Sequence, residues 1–552
     1  MTVSRLVLCL ALAGPALAEN ASRPGAVTPE LPTLQCLGVR WLMAGDDNRN
    51  ARVEVAYRKA GEADWRKALD LFRVDPKGMR KAVQPPDGQF LFAGSVFGLD
   101  EGTEYELKLS LKDPDGGDAE QVHVMKTWAE PKLPEGGQRI EVKPGELEAA
   151  FAKAKPGDIL ALRKGVYKGT FRPPNGEEGK PVALVGEDGA VFDGDGKSNC
   201  IGAPGSHDIM LVGLAFRNAK WALNFNASSY ITVRRCLITD CDYGFVSQTN
   251  GDRQTRIYIA DCTMRGPCTW PRSKNIEDPR GIQISGQGHV VCYNRISGYA
   301  DGVDTFSTYP CSSIDFYGND ISECTDDGVE MDYSEHNTRC FDNRLTNCFQ
   351  GISTQPTWGG PVYIFRNALY NLGMETFKMH NSPSGCLFFH NTSVKAGMPL
   401  VLYTGQPVTN FVMRNNLFIG TEANYGYENT ARMRDCDFDY DGFGGQWKTF
   451  LKWNGARYAT MDEVRGNAPV YKHVVRIDPA TLFASGITTP ADLKTQFGPK
   501  VNDLRLKEGS AAIDAGAVLP NINDGFAGKA PDLGAYELGA PLPHYGPRPQ
   551  AR

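Results

Sequence analysis

The feature that most constrains this chain is a repeat. Segments of the type N-x-I begin at Cys236, Cys262, Asn294, Asn319, Asn343, Asn367, Asn391 and Asn415. The last four steps are each 24 residues and the step before them is 25. The longer step from Cys262 to Asn294 carries an insertion, GPCTWPRSKNIEDPR. A fixed period of this length signals a solenoid, in which each repeat buries its apolar face only against its neighbours. The repeats are rich in Gly, Asn and β-branched residues and lack helical spacing, which predicts an all-β, right-handed parallel β-helix. An asparagine at one fixed offset suits an inward ladder of side-chain amides bonded from turn to turn. Cys241, Cys324 and Cys348 recur five residues after their markers and read as a stacked core column.

Each repeat holds a second landmark, a Gly followed by an apolar residue: Gly244-Phe245, Gly281-Ile282, Gly302-Val303, Gly328-Val329 and Gly351-Ile352. If these stack, strand alternation points the apolar residue in and the next one out. The first outward column is then Val246, Gln283, Asp304, Glu330, Ser353 and Lys378. The second is Gln248, Ser285, Phe306, Asp332, Gln355 and His380. The residues before each Gly form a third: Tyr243, Arg280, Asp301, Asp327 and Gln350. Adjacent turns stand about 4.8 Å apart, so Asp301, Asp304, Asp327, Glu330 and Asp332 crowd into a patch on the order of 10 Å across. Lys378 and His380 follow two turns on.

Like charges at one strand spacing raise at least one pKa. That repulsion is useful where one carboxyl stays protonated as a general acid while another stays ionised, or where a cation sits. Each residue alone has a plainer reading. Asp before Gly is a common turn dipeptide, and a lone Lys378 is a solvated surface residue. Their shared register on one face favours a functional cleft. Trp270 and Arg272 in the insertion, and Trp358 in PTWGG, are expected to wall it.

The rest of the chain frames this region. Residues 31–130 alternate in short strands (VRWLMA, ARVEVAYRK, QFLFAGSVFGL, EYELKLSLK, VHVMKTW), which predicts a small β-sandwich with Trp41 and Trp65 in or near its core. After a Pro/Gly linker, Leu147, Phe151 and Ala154 share one helical face, and that helix is expected to cap the solenoid's open end. The β-helix is expected over 138–430, an irregular end over 431–552, with PDLGAYELG as a last strand and a loosely held Pro-rich tail. Residues 1–18 read as a signal peptide: Arg5, an apolar run, and Ala16-Leu17-Ala18 as the cleavage site. The mature protein is then secreted or periplasmic, with no membrane span. Thirteen of the 14 cysteines remain after cleavage, an odd number, and they read as small core residues rather than a disulfide framework. A net charge of −6 leaves no basic footprint for nucleic acid.

At the acidic repeats a family resemblance emerges. Residues 140–419 resemble the pectin-lyase-like right-handed parallel β-helix superfamily. Ala300-Asp301-Gly302-Val303-Asp304, followed by Asp326-Asp327-Gly328-Val329, resembles the polygalacturonase pattern of family 28 glycoside hydrolases. Gln350-Gly351 sits where that family has His-Gly, and Lys378 sits near its R-x-K position, with Thr376 in place of the Arg. Tyr299 stands where that family has Asn. The resemblance implies Asp301, Asp326 and Asp327 as catalytic acids, whereas alternation favours Asp304, Glu330 and Asp332. GLDEGTEYELKL similarly resembles the tyrosine-corner region of fibronectin type III domains, with Tyr105 as the corner residue.

The sequence thus predicts an exported glycoside hydrolase acting as a monomer on a polysaccharide. Its catalytic set is Asp301, Asp304, Asp326, Asp327, Glu330 and Asp332, and Lys378, His380, Gln350, Gln355, Trp270 and Trp358 bind substrate. That chemistry requires no cofactor. The alternative is a polysaccharide lyase or C5 epimerase with Lys378 as base and Ca²⁺ held by Asp304, Glu330 and Asp332. A third reading is a non-catalytic carbohydrate-binding or adhesin solenoid.

Overall fold

The computed structural model describes residues 19–272, 277–498 and 502–550. The expected signal segment, residues 1–18, lies outside them.

The N-terminal module is two antiparallel sheets face to face. One is ordered Arg23–Pro29, Leu37–Ala44, Gln89–Val96, Phe72–Val74; the other Arg66–Lys67, Arg52–Lys59, Glu104–Lys112, Ala119–Lys126. Alternation builds the core. In EYELKLSLK, Tyr105, Leu107, Leu109 and Leu111 turn inward and pack with Trp41, Val53 and Val55. Trp41 is fully buried and donates its indole N–H to Gly25 O (3.1 Å). Trp65 lies at the surface of the module, covered by Arg58 and Lys108 at 4.3 and 4.7 Å from its ring. The Asp100 N–H donates to the Tyr105 hydroxyl at 2.9 Å.

From Arg139 the chain coils into a parallel β-solenoid of about thirteen turns. A thirteen-stranded sheet and a nineteen-stranded sheet enclose one continuous apolar core. The short helix Leu147–Phe151 buries Leu147 and Phe151 over the first turn, which covers the open end as expected.

Asn294, Asn319, Asn343, Asn367, Asn391 and Asn416 form the ladder. Each amide donates to the next Oδ1 at 2.9–3.1 Å and to a strand carbonyl one turn back. Asp441 closes it, accepting from the Asn416 backbone and side chain. The eighth marker is therefore Asn416, not Asn415. Asn415 adopts φ 62° in the turn and bonds Ala517 O and His390 instead. Upstream, Cys236 and Cys262 take the same slot: the Cys262 N–H donates to Asn294 Oδ1. All thirteen described cysteines are unpaired thiols and eleven are buried, the small-core-residue role.

The parallel pairing continues past residue 430 through Asp437–Asp439 and Gly442–Trp453 to Val475–Ile477. A short helix spans Met461–Asn467. PDLGAYELG forms no strand. Its Leu533, Ala535 and Tyr536 pack on the solenoid flank, and the Gly534 N–H donates to Asn415 O. The Pro-rich tail is not loose either: Arg548 pairs with Glu130 (2.6 Å) and Asp261 (2.8 Å).

The sandwich docks on the outer face of the thirteen-stranded sheet. Phe97 meets Tyr363 and Phe365 edge-on, in a shared core with Leu34, Tyr258, Tyr317 and Phe341. Two buried polar contacts lie beside it, Glu30 with His336 (2.6 Å) and the ion pair Asp315–Arg339 (2.5 Å), and Arg339 also donates to Ser95.

Candidate active site

The site lies on the other large sheet. Phe245, Ile282, Val303, Val329, Ile352 and Phe377 pair in series, and the next residues, Val246 through Asp304 and Glu330 to Lys378, pair likewise. This is the register expected from the Gly landmarks.

The glycines do more than mark the register. A Cβ on Gly302 would meet Gly328 O and Ile321 Cγ2, each at 2.6 Å; one on Gly328 would meet Leu345 Cδ2 at 2.5 Å. These positions face the core, and so do Val303 and Val329, both fully buried. Two consecutive residues point inward, so the strand bends at each Gly and strict alternation fails there. At Gly302 and Gly328 the corner leaves no room for a Cβ. The bend puts Asp301 and Asp304, which flank it, on the same outer side, and does the same for Asp327 and Glu330. The acids before each Gly and those after it therefore converge.

Carboxylate oxygens of Asp301, Asp327 and Glu330 lie within 4.8 Å of one another. Asp301 accepts from the Asp327 N–H (2.8 Å) and pairs with Arg280 Nε (2.6 Å). Asp304 accepts from Gln283 (2.6 Å) and lies 3.5 Å from Arg280. Lys378 donates to Asp327 (2.7 Å) and stands 4.0 Å from Asp326. Asp332 accepts from the Ser353 hydroxyl (2.6 Å) and the Gln355 N–H (2.5 Å). Asp301 and Asp327 are fully buried, whereas Glu330 is half-buried and reaches the surface.

Six carboxyls thus face two cationic side chains. Burial pushes Asp301 up to about 6, against the pull of Arg280, and Asp304 up to about 8, with Asp301 adding to the rise. Burial also raises Asp327, Glu330 and Asp332. For Lys378 burial pulls down, but Asp327 and Asp326 outweigh it and hold the ammonium firmly protonated.

Several expected site residues are engaged elsewhere. His380 turns to Glu375 (3.2 Å). Gln350 is buried, and its carbonyl accepts from the Glu375 N–H (2.7 Å). Trp270 is 5% exposed and has no ring face free for a ligand. Trp358 lies beside the Arg80 guanidinium, 5.6 Å from its ring, and Arg272 covers Phe349 at 3.5 Å. Gln355 touches the cluster through its backbone. The ligand set for a cation also differs from the expected one: Asp301 and Asp327 converge with Glu330, while Asp332 is tied to Ser353.

Two residues join the site that the sequence reading did not assign to it. Arg280 supplies the positive charge beside Asp301 and Asp304; its place in the column before Gly was the available signal. Arg80 comes from the sandwich. It pairs with Glu335 (3.1 Å) and donates to Ser307 O (3.1 Å), in the turns that follow Asp332 and Asp304.

No protein-family model and no curated protein matches the chain. Among solved structures, the family 28 exopolygalacturonase of Yersinia enterocolitica aligns over 83% of this chain and 99% of its own, at 11% identity and a TM-score of 0.39. The PL6 family alginate lyase AlyGC aligns over 66% of this chain and 57% of its own, at 12% identity and a TM-score of 0.38. The catalytic domain of a GH87 alpha-1,3-glucanase in complex with nigerose aligns over 82% and 89%, at 11% identity and a TM-score of 0.30. Likeness this distant carries no argument about the chemistry of the site.

Proposed function

We propose that this chain is an exported polysaccharide-cleaving enzyme, and that it breaks a uronate polymer by elimination at the cluster on its outer face. The observation that carries this reading is the convergence of Asp301, Asp327 and Glu330 within 4.8 Å, between Arg280 and Lys378. An inverting hydrolase needs its two carboxyls roughly 6.5–9.5 Å apart to hold a water between base and sugar. The three converging acids stand closer than that and suit a shared ligand better.

The donor set fits a hard divalent cation such as Ca²⁺, which takes carboxylate oxygens. Asp327 Oδ1 is buried without a hydrogen-bond partner among the described residues, as a free ligand atom would be. Asp301, Asp327 and Glu330 would hold the ion, which supplies positive charge against a uronate carboxylate and so acidifies the neighbouring C5 proton. Lys378 is the base. With Asp327 engaged elsewhere, the charge that chiefly holds the Nζ proton is withdrawn, and Nζ releases that proton to solvent water. The neutral amine then takes the C5 proton, the electron pair forms the C4–C5 double bond, and the C4–O bond breaks. The leaving oxygen takes a proton from water. Arg280 keeps Asp301 and Asp304 oriented.

Hydrolysis is the second reading, favoured by one observation: burial and Asp301 hold Asp304 up at about 8, while Asp301 itself is held lower, at about 6, so the two carboxyls are pushed apart as an acid and a base require. The products separate the two. Elimination from polygalacturonate or alginate yields an ultraviolet-absorbing unsaturated uronate and stops with chelator. Hydrolysis yields new reducing ends without that absorbance. A chain that yields neither is a binding solenoid.

The N-terminal module reads as fibronectin type III-like, supported by its two antiparallel sheets and the Asp100–Tyr105 bond. Export with cleavage near Ala18 is checked by N-terminal sequencing of the mature protein.

A further inference from the structure

The outer column that carries Asp301 does not begin with it. Trp221 in the strand Ala215–Asn224 pairs with Tyr243, Tyr243 with Arg280, and Arg280 with Asp301. In the Trp221 strand, Ala222 and Leu223 take the places of the Gly-apolar pair, and both are fully buried. Trp221 therefore sits just before the same bend as Asp301 and on the same outer side. Both rings are half-buried and half-open. Their centroids are 6.0 Å apart, with the planes at 41°. The Tyr243 hydroxyl donates to Asp278 (2.7 Å), which fixes that ring. Lys220 places its ammonium 4.6 Å from the Trp221 ring centre.

We infer that Trp221 and Tyr243 form a sugar-binding subsite, in which a pyranose ring of the polysaccharide stacks while its neighbours run along the column to the acids. The inference rests on the polysaccharide reading of the site and extends it. The C–H face of a pyranose is weakly positive and packs on the electron-rich face of an aromatic ring. Three strand spacings place Trp221 about 14 Å from Asp301, so a ligand bound at both is longer than one sugar. Lys220 suits an acidic sugar at that end. The occupant follows from continuity: the aromatic pair and the acids share one unbroken register on one face.

The test uses the full chain in native gels containing polygalacturonate, alginate or neutral xylan, with retardation as the readout of binding. The variants are Trp221→Leu, which keeps apolar cover but removes the aromatic face, Trp221→Phe, which restores a ring, and Tyr243→Leu. On the polymer that retards the wild type, Trp221→Leu is expected to bind about tenfold more weakly, and Trp221→Phe close to wild type, with all melting temperatures alike. Turnover should follow, with KM raised and kcat little changed. The subsite is overturned if Trp221→Leu is retarded as wild type is, or if no polymer retards the wild type. Retardation without any cleavage product would remove the enzyme reading and leave the subsite. Cleavage with KM unchanged in Trp221→Leu would do the reverse.

Discussion

At the residue scale, Lys378 and Arg280 both answer the acids, but only one can act as a base. An arginine cannot give up its proton near neutral pH, whereas a lysine can. Lys378→Arg keeps the charge and most of the reach. If Lys378 takes the C5 proton, both Lys378→Arg and Lys378→Ala should lose roughly 10²–10⁴-fold in kcat. A lysine that only anchors substrate would be largely rescued by arginine. Arg280→Lys should retain more activity than Arg280→Ala, which leaves Asp301 without its 2.6 Å partner. The acids were legible because they sit at fixed offsets from a landmark. The aromatics were harder. Trp270 and Trp358 lie in loops, which have no register, so nothing in the sequence says where their rings point. Trp221 is in a strand with register, but Ala222 stands where later turns have Gly, so its turn lacks the landmark.

At the element scale, the ladder and the bend set the fold. Asn343 gives and takes bonds on both sides and to the Phe316 carbonyl. Asn343→Ala leaves several buried partners unmet and should cost on the order of 2–4 kcal/mol, read as a lowered melting temperature. Asp441 ends the ladder with a carboxyl where each turn before it has an amide. Burial lifts its pKa from 3.8 to about 7, against the bonds from Asn416. The folded state therefore holds a proton that the unfolded chain has lost, and stability falls as pH rises through that window. Asp441→Asn should remove this loss. The variant should be more stable than wild type near neutral pH, by on the order of 1–3 kcal/mol, with the difference closing towards pH 4. The ladder was legible from its period, yet counting could not choose between Asn415 and Asn416. Asparagine suits both positions, one for its amide and one for its tolerance of positive φ. The bend was not legible, because alternation assumes a straight strand and the Gly corner breaks it.

At the scale of the whole molecule, the sandwich is packed into the body that carries the acidic cluster rather than held off from it. It shares a core with the thirteen-stranded sheet and sends Arg80 to the turns beside Asp304 and Asp332. No repeat or motif encodes that docking, since its partners, such as Glu30 and His336, lie hundreds of residues apart. Burial pushes Glu30 up, but His336 and Arg40 outweigh it and hold it near 2, below 4.5. Its contribution is present above about pH 4.5 and lost as pH falls through 2. Glu30→Gln should lower the melting temperature at neutral pH, and the gap should narrow as the solution is acidified. The outer cluster decides what the molecule does. The most direct test of its role is the rate of unsaturated uronate formation from polygalacturonate and alginate, measured before chelator, after it, and after Ca²⁺ is restored. Formation, loss and recovery are expected on one of these polymers, with Asp301→Asn inactive throughout. New reducing ends formed without ultraviolet absorbance, and undiminished by chelator, would contradict elimination at the cluster.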